Sequence, residues 1–107
     1  MTSQLTSAKF AVGQIIHHRL FDYRGVVIDA DASFQGTEEW YQQVARSRPP
    51  RDRPWYHVLV DGGDQQTYVA ERNLEPDSTG RPIDHPDISM MFDELRDGMY
   101  VRTKPVN

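Results

Sequence analysis

The 107-residue chain contains no cysteine, which excludes disulfides and thiolate zinc sites and fits a cytoplasmic protein. No apolar run approaches the ~20 residues of a membrane span. The opening MTSQLTSAKF lacks the basic start and apolar centre of a secretory signal. Apolar residues are scarce as well. They make up 37% of the chain, and mean hydropathy is −0.71, so one domain spanning residues 1–107 with a modest core is expected. Self-association would supply the missing burial. Residues 1–8 are small and polar and read as a flexible leader.

Positive charge is also in short supply. The net charge of −4 argues against bulk electrostatic binding of nucleic acid, whose affinity rests on Lys and Arg neutralising phosphate. The distribution is uneven: Arg46, Arg48, Arg51 and Arg53 face a single acid within residues 46–53, whereas residues 55–100 carry ten acids against Arg72, Arg81 and Arg96. A basic loop is thus set beside an acidic second half.

What the chain has in plenty is β-forming residues around residues 55–74. Two runs, residues 55–60 and 65–71, flank Asp61-Gly62-Gly63-Asp64. Aromatic and β-branched residues suit a pleated surface, and the glycines suit a tight reversal, so a hairpin is expected. Alternation sends Trp55, His57 and Leu59 to one face and Tyr56, Val58 and Val60 to the other. Upstream, residues 14–18 and 26–31 read as a first hairpin, and the unalternating Val26-Val27-Ile28 suits a central strand. Between the two hairpins, Thr37 is placed to cap a helix over residues 37–46, with Glu38 and Glu39 in its first turn. Trp40 and Val44 would pack it down, and Pro49-Pro50 would stop it. Residues 72–75 read as a brief fifth strand or a 3₁₀ turn, and the Pro-rich residues 76–89 as a surface loop. Ile88, Met91, Phe92 and Leu95 fall at helical spacing within residues 87–97, with Gly98 as the stop and an extended tail beyond. The expected fold is mainly β: a small SH3-like barrel of about five strands with a short helical insertion and a short C-terminal helix.

Reactive chemistry is sparse. His17 and His18 are neighbours on a strand and face opposite ways, so they cannot share one ion. Asp29 and Asp31 share a face but lie at a strand end, where solvated acids are common. His85, before Pro86, reads as a turn residue. No Gly-x-Ser-x-Gly, Walker or dinucleotide fingerprint occurs. No catalytic residue, metal or cofactor is expected, and the chain does not read as an enzyme. Two candidate binding elements remain. Arg46, Arg48, Arg51 and Arg53 suit phosphate or an acidic partner, with Tyr23, Trp40, Tyr41, Trp55 and Tyr56 as a stacking surface. The opposing reading has the aromatics in the core and the arginines paired with the acidic half. Ile88, Met91, Phe92 and Leu95 suit a partner or subunit interface, with Met90 and Met91 adding adaptable apolar surface.

Residues 12–31 (VGQIIHHRLFDYRGVVIDAD), 54–61 (PWYHVLVD) and 67–74 (TYVAERNL) occur in an order that resembles the heat-shock protein HspQ family, also known as the YccV-like or hemimethylated-DNA-binding domain family. The resemblance covers most of residues 9–76. It implies a stress-response factor in protein quality control that promotes degradation of substrates such as denatured DnaA by an ATP-dependent protease such as Lon. It equally implies binding of hemimethylated DNA, and a homo-oligomer with a trimer favoured. Charge favours the first function over the second.

Overall fold

The computed structural model describes residues 8–45 and 47–102, and the architecture is mainly β. Strands β1 (Ile15–His18), β2 (Arg24–Asp31), β3 (Trp55–Val60), β4 (Gln66–Ala70) and β5 (Leu74–Pro76) form one antiparallel sheet in the order β4-β3-β2-β1-β5. Helix α1 (Glu38–Val44) lies in the long β2–β3 connection. A 3₁₀ turn at Glu71–Asn73 joins β4 to β5. Helix α2 (Ile88–Met91) then leads into a small hairpin of β6 (Glu94–Arg96) and β7 (Met99–Val101).

The expected barrel does not close. β4 and β5 are the two edges of an open sheet and do not pair with each other. The 3₁₀ turn carries the chain across to β1 instead. Arg19 donates its backbone N–H to Asn73 O (2.8 Å), and β5 pairs with β1 from His18↔Leu74 to Ile16↔Pro76.

Both faces of the central strands are covered, which explains the unbroken apolar run in β2. Ile16, Val27, Tyr56, Val58 and Val69 pack together on one face. Ile15, Val26, Leu59, Ile83, Phe92 and Tyr100 pack on the other. The alternation expected along β3 therefore holds, with neither face left to solvent. After Val27↔Val58 the register resumes at Asp29↔His57, so Ile28 is an extra residue, a bulge that breaks the alternation of β2.

Helix α1 starts where expected. Thr37 Oγ1 accepts the Trp40 N–H at 3.1 Å, the bond of an N-cap. It ends at Val44, ahead of the prolines. Tyr41 is the buried member of the helix, while Val44 is 51% exposed instead of packing down.

The expected helix over residues 87–97 is the main correction. Only Ile88–Met91 is helical, and Leu95 lies in β6. Asp97 and Gly98 both take positive φ (53° and 81°), the backbone of a two-residue turn whose twist matches the flanking strands. Asp-Gly is a hairpin signal, and as a helix stop Gly98 was given the wrong job. The hairpin is latched to the sheet through Gly13, which donates its N–H to Val27 O (2.8 Å) and accepts the Tyr100 N–H (2.9 Å). Gly13 sits at φ +96°, and a Cβ there would come within 2.1 Å of Tyr100 O, so no other residue fits.

Candidate functional site

A cleft of about 700 Å³ runs along the free edge of β4. Among the described residues its lining contains no Asp, Glu, Lys or Arg. Two walls rise on either side of the strand. One comes from the β1–β2 turn, where Leu20 and Phe21 are 57% and 69% exposed. The other comes from α1, with Trp40 half-buried and Val44 exposed. Isolated exposed apolar residues are ordinary, but several around one uncharged cleft are not.

Each wall is held from within. Buried His18 accepts the backbone N–H groups of Leu20 (3.1 Å) and Phe21 (3.0 Å) at Nδ1, and its ring stacks on Phe21 at 4.7 Å. Burial lowers the His18 pKa, and neighbouring His17 adds to the effect, so the ring stays neutral and Nδ1 remains an acceptor. His17 points away. Its two ring nitrogens each lie 2.7 Å from a carboxylate, of Asp22 and of Glu75, and these bonds raise its pKa.

The second wall rests on Trp55, which is 1% exposed. Phe34, Tyr68, Trp40 and Tyr41 surround it with ring centroids 4.8–6.4 Å away. Trp55 Nε1–H donates to Pro50 O (3.1 Å) and Tyr41 O–H to Pro49 O (2.8 Å), tying the proline segment to the cluster. Tyr68 donates its hydroxyl to Asp31 (2.7 Å); burial and that carboxylate push its pKa up to about 12.

The arginine loop is less free than its composition suggests. Arg46 lies outside the described residues. Arg51 grips Glu38 with both terminal guanidinium nitrogens (2.5 and 3.0 Å) and covers the Tyr41 ring at 3.8 Å. That pairing holds the Glu38 carboxyl down at about 2, with Gln42 assisting. Arg48, at φ +53°, donates to Gln42 Oε1 at 2.6 Å. Arg53 is exposed. Arg48 and Arg51 are thus engaged with α1 and not with the acidic second half. Of the expected stacking surface, Trp55, Tyr56 and Tyr41 are buried core.

Ile88, Met91, Phe92 and Leu95 do come together, against the protein's own core. Phe92 is 6% exposed and the other three pack around it, leaving Met90, 78% exposed, as the apolar residue facing out. Asp29, Asp31 and His57 bring ligand atoms within 4.8 Å of one another. Their geometry is already used: Asp31 accepts from Tyr68, His57 stacks on Tyr68 at 4.5 Å, and Asp29 accepts the Ala30 N–H. His85 behaves as a turn residue, with Nδ1 accepting the Asp87 N–H (3.0 Å) and Nε2–H donating to Gln65 O (3.1 Å).

Sequence reasoning missed the cleft and also Arg24. Arg24 binds Asp77 (3.0 and 3.3 Å) and Asp61 (3.1 Å) and also donates to the carbonyls of Arg81 and Pro82, stapling β2 to two loops. Burial works to raise the Asp77 pKa, but Arg24, Thr79 and Gly80 overcome it and hold the group at about 2. The signal for the cleft wall was Leu20-Phe21, an apolar pair at a turn, where polar residues are usual.

The family model described as "Hemimethylated DNA-binding protein YccV like" matches residues 8–99. The chain belongs to the YccV-like family. The matched span reaches the first residue of β7 and takes in both the β4 cleft and the arginine loop. YccV-like domains are binding or regulatory modules and not a known family of enzymes.

Proposed function

We propose that this protein is a quality-control factor that holds non-native client proteins, of the denatured DnaA type, and promotes their degradation by an ATP-dependent protease such as Lon. The observation that carries this reading is the uncharged cleft walled by exposed Leu20, Phe21 and Val44. Such a surface suits the apolar segments that a client exposes when it loses its fold, and its described lining carries no cation for phosphate. A homo-oligomer, with three copies favoured, is part of the same reading.

The test is degradation of a heat-denatured client by a Lon-type protease with ATP, with and without this protein. Faster loss of the client is expected, together with loss of that effect in Phe21→Ala and Val44→Ser, whose side chains are exposed. An unchanged rate would overturn the reading.

A second reading, hemimethylated DNA binding, is favoured by the family's description and by exposed Arg53. Against it stand the net charge of −4 and the engagement of Arg48 and Arg51 with α1. Submicromolar binding of a hemimethylated duplex in physiological salt, with a steep salt slope, would promote it over the first.

A further inference from the structure

The edge of β4 at the base of the cleft has main-chain groups to spare. Val60 N–H bonds Gln65 O (3.0 Å) and Glu71 N–H bonds Pro54 O (3.0 Å), which marks 60:65 and 54:71 as hydrogen-bonded pairs of the β3–β4 ladder. Antiparallel pairs alternate, so Thr67 and Val69 also bond inward to β3, while Gln66 and Tyr68 turn their N–H and C=O groups outward. Among the described residues nothing takes those four groups. The outward face of β4 is a peptide-shaped template lying between two apolar walls.

We propose that the cleft binds an extended, apolar polypeptide segment as a sixth strand, antiparallel or parallel to β4. The proposal rests on the client-delivery reading and specifies how a client is held. A β-strand sends alternate side chains to opposite faces of its sheet. An added strand would therefore place one set against Leu20 and Phe21 and the other against Trp40 and Val44. An occupant must be apolar on both faces, which describes a segment from the interior of an unfolded protein. The lack of charge among the described lining residues argues against an acidic or basic tail. Main-chain pairing makes recognition tolerant of sequence, while the walls select apolar side chains. A second copy of β4 fits poorly. Its Tyr68 is locked in the Trp55 cluster and its Thr67 is bonded to Tyr23 (2.8 Å), so neither reaches across to cover the walls.

The test uses the full chain and a fluorescent, terminally blocked peptide of alternating Val, Ile and Thr. A second peptide is N-methylated at three consecutive central amides. Binding of the first is expected, with at least a tenfold loss for the methylated peptide. Gln66→Pro removes one outward N–H and leaves the inward ladder bonds of Thr67, so a similar loss is expected with the fold retained. Phe21→Ala and Val44→Ser should weaken binding while main-chain pairing persists. Equal binding of the methylated peptide would overturn strand addition. So would Gln66→Pro dissociating an oligomer with peptide affinity unchanged, since a second copy would then hold the edge. If no peptide binds while client degradation is still accelerated, strand addition fails and the quality-control function stands. Peptide binding without any acceleration leaves strand addition standing and sinks the function.

Discussion

The two edges of the sheet are built to different rules. β5 is a three-residue strand whose outward positions, Leu74 and Pro76, have no donor to offer: the Leu74 N–H bonds Glu71 O within the 3₁₀ turn, and proline has none. The next residue, Asp77, is bound by Arg24. β4 is a five-residue strand without charge or proline, and it opens into an apolar cleft. Natural sheets blunt their edges against stray pairing. One edge here is blunted and the other is left open between walls. An open edge in a protein with this little apolar surface to spare is a feature to be explained by use.

Several changes would break or sharpen that contrast. The largest effect is expected at the blunted side. Arg24→Ala leaves Asp77, whose side chain is 4% exposed, without its cation. A loss of about 3 kcal/mol is expected, because an uncompensated buried carboxylate is costly. Urea unfolding would read it, while the folded fraction should still present the β4 cleft. Tyr68→Phe removes the hydroxyl that spans Asp31 and the Gln35 N–H. It should cost about 1–2 kcal/mol and loosen the α1 wall, visible as a change in tryptophan fluorescence. Gly98→Val forces a β-branched residue to φ +81° in the β6–β7 turn. A loss of about 1–2 kcal/mol is expected, with little change at β4.

The smallest effects concern pH, where His17 and His18 oppose each other. The His17 pKa is raised above 6.5 by Asp22 and Glu75. Its stabilisation is complete below 6.5 and is lost as pH rises through the raised value. The His18 pKa is lowered below 6.5 by burial. Its stabilisation is present above 6.5 and is lost as pH falls through the lowered value. Protonated Nδ1 can no longer accept from Leu20 and Phe21, so acid should unpin that wall. Imidazole NMR titrations should place the two midpoints on opposite sides of 6.5. Both on one side would contradict the assigned partners.

Much of the frame was legible in the sequence because it depends on local chemistry. The Trp55–Val60 and Gln66–Ala70 hairpin followed from β-forming runs around a glycine pair, and the Thr37 cap from one hydroxyl ahead of two acids. The β6–β7 hairpin was misread because Ile88, Met91, Phe92 and Leu95 satisfy a helical period by coincidence. They meet in one core although they come from a helix, its C-cap and a strand. Asp97-Gly98 was the stronger signal. Arg24 was missed because its partners, Asp61 and Asp77, are 37 and 53 residues away. The cleft was missed for a similar reason: its two walls come from a turn and a helix far apart in the chain, and no single stretch shows that they flank one strand. Closure of the barrel depended on where the 3₁₀ turn delivers β5, which strand propensity does not encode.

Amide hydrogen exchange at Gln66, Tyr68 and Leu74 tests the account most directly, first on the free protein and then with the blocked apolar peptide. The account predicts fast exchange at Gln66 and Tyr68 in the free protein and strong protection on adding peptide, with Leu74 protected throughout. Gln66 and Tyr68 amides that are already protected in the free protein, or that stay unchanged when the peptide binds, would contradict it.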